Sequence, residues 1–214
     1  MREQYDRQLR TLNDELIRMG EMICSAISGA VSALIDRDDQ KAREIIAYDE
    51  EIDRQERLVE SMCLKLLLSQ QPVAGDLRRV SSALKMITDM ERIGDHAADI
   101  SEIELMLERL PPMSNAHLRE MAAETRAMLL TSLEAYVERN VEKARGVIAR
   151  DDVVDALFDA VKSELIAAIR EEPENGEIAT DLLMAAKYFE RIGDHATNIA
   201  EWAIFAVTGR HEGE

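Results

Sequence analysis

Aromatic residues make up only 4% of this chain, and Pro, Gly and Cys occur four, nine and two times. So few rings leave the core to Leu, Ile, Ala and eleven Met. So few Pro and Gly leave long uninterrupted segments, and the abundant Ala, Leu, Met, Glu and Arg are good helix formers, so an all-α chain is expected. Cys24 and Cys63 have no CxxC neighbours, which excludes a disulfide framework and a thiolate metal cluster and fits a reducing compartment. Basic residues are also short, 26 against 43 acidic, for a net charge of −17. That charge excludes nucleic acid as a partner, because phosphate binding needs a cationic surface. It favours cations or basic protein surfaces and opposes an anionic membrane face. No uncharged apolar run approaches the ~18 residues that cross a bilayer, and Met1-Arg2-Glu3-Gln4-Tyr5-Asp6-Arg7 leads into no signal-peptide core. The expectation is a cytoplasmic protein without direct membrane insertion.

What the chain does have is a repeat. Glu-Arg-Ile-Gly-Asp-His occurs at Glu91–His96 and again at Glu190–His195, an offset of 99. The duplication extends upstream: Ala33 to Arg43 matches Ala135 to Arg145 at an offset of 102, and Ile46, Ala47, Asp49 and Asp53 recur as Ile148, Ala149, Asp151 and Asp155. The loss of three residues between the blocks belongs in a turn. Two units are therefore expected, residues 1–112 and 113–214.

Breakers divide each copy into three segments. They are Gln70-Gln71-Pro72, Glu172-Pro173-Glu174-Asn175-Gly176 and the central Pro111-Pro112-Met113-Ser114-Asn115, with weaker breaks at Arg37-Asp38-Asp39 and Arg139-Asn140. Six helices follow, at about 6–36, 39–69, 75–109, 115–139, 141–171 and 177–208. Short links force neighbouring helices antiparallel, so the expected fold is two tandem three-helix bundles. Ile52, Val59, Met62 and Leu66 keep helical spacing, as do Met86, Ile93, Ala97 and Ile100, and each series supplies a buried stripe. Met86, Met90 and Met184 read as core filler, Cys63 as a small buried residue and Trp202 as a packing anchor.

On a helical projection Glu91, Asp95, Asp99 and Glu102 lie at roughly 0°, 40°, 80° and 20°, whereas Ile93, Ala97 and Ile100 lie near 200°, 240° and 180°. The carboxylates thus form a stripe facing away from the apolar seam. Asp49, Asp53, Glu56 and Glu60 form another on the preceding helix, copied as Asp151, Asp155 and Asp159. Like charges at i, i+4 cost a few tenths of a kcal/mol each, which a multivalent cation would offset. Oxygen-only donors suit iron, manganese or magnesium, and carboxylate-rich sites also hold zinc. The alternatives are a solvated acidic face, or neutralisation by Arg92 and Arg191. Gly94 would let a ligand or another chain approach the backbone.

His96 and His195 project about 140° from Glu91, off the stripe. The Glu-x-x-His spacing of a di-iron bundle is absent. A phosphoacceptor role is one reading of these histidines, and a helix-interface or orienting role another. No Ser, His or Cys constellation marks a metal-dependent enzyme, which stays as the rival class.

The segments Leu84 to Ile100 and Lys187 to Ile199, the Gln70 to Arg78 turn and the duplication together resemble the PhoU family of phosphate-uptake regulators, over nearly the whole chain. The resemblance implies two similar three-helix bundles carrying multinuclear metal clusters, iron or zinc, with manganese or magnesium as further options. It implies Asp49, Asp53, Glu91, Asp95 and Asp99 as ligands of a first site and Asp151, Asp155, Glu190 and Asp194 of a second. Asn198 stands where the first copy has Asp99, so the second site has one anionic ligand fewer. The resemblance further implies a non-enzymatic negative regulator of high-affinity phosphate uptake and phosphate-responsive signalling. Its expected partners are the sensor histidine kinase of a phosphate two-component system, the ATPase or permease of the phosphate ABC transporter, and a second copy in a homodimer.

Overall fold

The computed structural model describes residues 2–69, 74–107, 111 and 116–210, and among them every regular element is helical. In order these are α1 (Arg2–Asp36), α2 (Asp39–Ser69), α3 (Ala74–Met106), α4 (Ala116–Glu138), α5 (Val141–Ile148), α6 (Asp151–Glu171) and α7 (Gly176–Thr208). The expected turn at Gln70-Gln71-Pro72 and the central break from Pro112 to Asn115 lie outside the described residues. The Glu172 to Gly176 turn holds a 3-10 turn at Pro173–Asn175 that leads into α7.

The two weaker breaks are one device used twice. Arg37 and Arg139 take left-handed backbone, φ 55° and 59°. Asp38 N–H then donates to Ala33 O at 3.0 Å and Asn140 N–H to Ala135 O at 2.9 Å, closing the helix end on its own carbonyls. The next side chain opens the following helix: Asp38 Oδ1 accepts from Lys41 N–H and Asn140 Oδ1 from Lys143 N–H, both at 3.0 Å. The expected helix 141–171 is interrupted, however, at Ala149-Arg150. Arg150 N–H donates to Val147 O at 2.9 Å and Val153 N–H to Arg150 O at 3.0 Å, tight turns that replace the regular ladder. Gly146, a weak helix former, stands just before, and the Arg150 guanidinium is held by Glu124 of α4 at 2.5 and 3.1 Å. The equivalent stretch of α2 has Tyr48 there and runs through unbroken.

α1, α2 and α3 pack on one another, and α4, α6 and α7 do the same with α5 beside them. The two bundles share one continuous core, because α3 and α7 make the most extensive helix pair and α1 packs on α4. α1 is long and apolar enough to cross a membrane by length and composition. It carries Glu21, and its Leu12, Leu16, Met19, Ile23 and Ile27 are fully buried in the bundle. Both apolar stripes expected from the sequence are buried except Met62, which is half-buried. Cys63 and Met90 are in the core, but Met184 is 43% exposed and is no core filler, because its position on α7 faces solvent. Trp202 is half-buried, edge-on to Phe205 at 5.7 Å between ring centroids.

The hexapeptide glycines mark where helices touch. A Cβ on Gly94 would lie 3.1 Å from Ile52 Cγ2 and 3.4 Å from Asp49 Oδ1, so it is α2, not a ligand or another chain, that presses on this backbone. Gly193 meets α6 in the same way but more loosely, 3.3 Å from Asp151 Oδ1 and 3.4 Å from Val154 Cγ1. Replacing a helical Gly by Ala gains about 1 kcal/mol of helix propensity, which a tight contact can cancel. Gly193→Ala is therefore expected to leave stability within about 1 kcal/mol of the parent, and Gly94→Ala to be less stable than Gly193→Ala by a similar amount. Urea unfolding of both variants checks the order, and the reverse order would contradict the packing.

Candidate functional site

The close contact of α2 with α3 at Gly94 sets two carboxylate stripes edge to edge. Burial first, and then the neighbouring charges of Asp95, Asp53 and Asp99, together raise Asp49 to about 6. Burial is also the largest cause of the upward shifts of Glu91 and Asp95, and Asp53 adds to both from across the helix contact. The structure thus gathers Asp49, Asp53, Glu91, Asp95 and Asp99 on one face, as expected. Glu56 joins them: buried in part and coupled to Glu60, Asp53 and Asp95, it too is raised. It lay on the projected stripe, although the ligand set implied by the resemblance omits it.

The second repeat rebuilds this face from α6 and α7. Asp151 is raised to about 6 by burial and by Asp194, Asp155, Glu190 and Asp152, and Asp194 is raised by burial and Glu190. The copy is less acidic than the original. Phe158 and Lys162 stand where the first repeat has Glu56 and Glu60, Asn198 replaces Asp99, and Lys187 replaces Thr88. Lys187 Nζ reaches Glu190 Oε1 at 2.5 Å, and the ammonium groups of Lys187 and Lys162 lie 5.6 and 5.8 Å from the Phe158 ring centroid.

Cations do neutralise part of the first face. Arg57 Nη2 holds Asp53 Oδ2 at 2.9 Å, and Arg92 Nη1 holds Asp95 Oδ2 at 3.1 Å. What they leave is Asp49 Oδ1, buried and without a hydrogen-bond donor, and in the second face Glu190 Oε2 in the same condition. An orphaned buried carboxylate oxygen is costly unless a charge approaches it. The donor set, oxygen-only and spread over two helices, fits a hard or borderline cation. The side chains are not drawn together: among the described residues no three carboxylate, imidazole or thiolate groups stand in metal-binding geometry.

The histidines belong to another place. Their rings meet across the α3–α7 seam, 5.6 Å between centroids. His96 is buried, pairs through Nδ1 with Asp99 Oδ2 at 3.1 Å and lies 5.2 Å from the Tyr188 ring. Burial lowers its pKa against the opposing pull of Asp99. His195 Nδ1 meets Asp89 Oδ1 at 2.8 Å, and Asn198 donates to the same oxygen at 3.1 Å. Asp99 is therefore shared between the acidic face and this seam. Asp89 was not singled out from the sequence, although it and Tyr188 occupy equivalent positions at the 99-residue offset.

An all-helical protein with two similar repeats, each carrying a carboxylate face across two adjacent helices, is thereby defined. Residues 16–103 and again 118–203 match the PhoU domain. The phosphate-specific transport system accessory protein PhoU homolog of Clostridium acetobutylicum is 37% identical, over 98% of this chain and 96% of that one. The protein of the same name from Caulobacter vibrioides is 36% identical over 96% and 90%. The crystal structure of PhoU from Pseudomonas aeruginosa superimposes with a TM-score of 0.89 at 31% identity, covering 96% of this chain and all of that one. The chain belongs to the PhoU family.

The raised carboxylates set a pH dependence. Asp49 and Asp151 bind protons more tightly folded, near 6, than at their ordinary value of 3.8. Their contribution to stability is therefore complete below about pH 4 and is lost as pH rises through about 6. In the presence of chelator, Asp49→Asn with Asp151→Asn should raise the melting temperature at neutral pH and flatten its slope between about pH 4 and 6. A slope identical to that of the parent would refute the burial of these charges.

Proposed function

We propose that this protein is an accessory, regulatory component of a phosphate-specific transport system, acting as a non-enzymatic adaptor with metal-organised docking faces. The observation that carries the metal part is the pair of two-helix carboxylate faces, each with a buried oxygen that no donor reaches. The regulatory part is supported by identity along almost the full length to accessory proteins of that system.

Asp49, Asp53, Glu91, Asp95 and Asp99, with Glu56 at their edge, would hold a multinuclear iron or zinc cluster on the first bundle, and Asp151, Asp155, Glu190 and Asp194 one on the second. Manganese or magnesium would satisfy the same oxygens. A bound cation would cancel the repulsion across each helix pair and stiffen a surface that is otherwise diffusely anionic. Lys162, Lys187 and Asn198 make the second face the weaker of the two. The partners we assign are the sensor histidine kinase, damped when phosphate is plentiful, and the ATPase or permease of the phosphate ABC transporter, met as a homodimer at the cytoplasmic side of the membrane. A phosphoacceptor role for the histidines is disfavoured by the burial of His96 in the α3–α7 seam.

Elemental analysis separates the claims. Glu91→Gln with Asp95→Asn should remove most of the metal that copurifies, and Glu190→Gln with Asp194→Asn a smaller share. Equal, substoichiometric metal in parent and variants would reject the cluster. A phosphate-repressed reporter in the native host should become constitutive when the gene is deleted, and a reporter that stays repressed would reject negative regulation.

A further inference from the structure

The two repeats differ at one buried ion pair. In the first, the Arg37 guanidinium reaches back to the end of α3: Nη1 donates to Glu104 O at 2.8 Å, Nη2 donates to Leu107 O, and Nη1 faces Glu104 Oε1 at 2.9 Å. The Glu104 side chain is 0% exposed, so Arg37 is the cation that compensates it. In the second repeat Arg139 repeats the position and backbone of Arg37, but the equivalents of Glu104 and Leu107 are Ala203 and Ala206. The carboxylate is lost, and the neighbouring Leu107 side chain is cut back to a methyl group. α7 also runs on to Thr208, so the carbonyl of Ala203 is taken up in its own ladder.

A pocket of about 100 Å³ lies beside Arg139 and the small Ala206, with Arg79 and Tyr136 among its other walls. Arg139 has no ion pair or side-chain hydrogen bond among the described residues. Arg79 Nε is buried without a hydrogen-bond partner, and its guanidinium lies 5.8 Å from the Tyr136 ring centroid. The Tyr136 hydroxyl is already spent as a donor on Arg79 O at 2.8 Å. Asp76, a carboxylate on the wall, is itself engaged.

We propose that this pocket binds a small oxyanion between Arg139 and Arg79, giving Arg139 the anionic partner that Glu104 gives Arg37 in the first repeat. Two guanidiniums offer forked donors matched to phosphate or sulfate oxygens. The overall charge of −17 does not forbid it, because at physiological ionic strength fields fade over about 8 Å and the two arginines dominate locally. The site is independent of the carboxylate faces: Arg79 precedes Glu91 on α3 by ~18 Å of helix.

The test is a titration of chelator-treated protein with inorganic phosphate, and separately sulfate, at constant ionic strength, followed by amide NMR. Saturable shifts around Arg79, Arg139 and Ala206 are expected. Arg139→Gly removes the guanidinium while suiting the left-handed backbone, and should weaken binding by about tenfold or more, the scale of one charge-assisted hydrogen bond. Ala203→Glu should pair Arg139 internally, abolish binding and raise the melting temperature of the anion-free protein. Shifts that do not saturate, or that persist unchanged in Arg139→Gly, would overturn the proposal, even if Ala203→Glu fails to fold.

Discussion

The contact of each hexapeptide glycine with the helix packed before it is the constraint on which the rest depends. Without a side chain at Gly94, Ile52 of α2 settles onto the backbone of α3, and Asp49, one turn away, comes with it. A larger residue would hold the helices apart and leave each acidic stripe in solvent, where its charges cost little and bind little. Closeness makes the charges expensive: burial and mutual repulsion raise Asp49 and Asp151 to about 6. The packing that stabilises the bundle therefore creates an electrostatic demand for a cation.

Duplication explains both the likeness and the inequality of the halves. The same left-handed turn at Arg37 and Arg139 and the same glycine contact build each bundle, so the carboxylates recur in space as they recur in sequence. Divergence then acts on side chains that the framework does not need. Lysines and Phe158 dilute the second acidic face, while Ala203 and Ala206 in place of Glu104 and Leu107 leave Arg139 without the internal carboxylate that Arg37 has, beside a pocket it shares with Arg79. One repeat thus keeps an internal carboxylate where the other presents unpaired arginine.

The seam between the repeats gives the histidines a place that their position next to Asp95 and Asp194 does not suggest. α3 and α7 carry the two hexapeptides and pack along much of their length, so the residue after each Asp turns inward. His96 and His195 face each other there with Asp89, Asp99 and Tyr188. The shared Asp99 joins this polar seam to the first acidic face, and Asn198 weakens the corresponding link in the second.

Helical class, duplication and the carboxylate stripes were determined by the sequence alone, because they depend on local period and on repetition: Glu91, Asp95 and Asp99 share a helix face wherever that helix lies. The Ala149-Arg150 interruption escaped that reading, since Glu124 pulls on Arg150 from another helix. So did the exposure of Met184, because periodicity does not say which side of α7 a neighbour covers. Only tertiary structure decided that Gly94 serves α2, that the histidines meet, and that Arg139 lacks what Arg37 has. Each of these depends on a contact between residues distant in the chain, and such contacts follow from how whole helices pack.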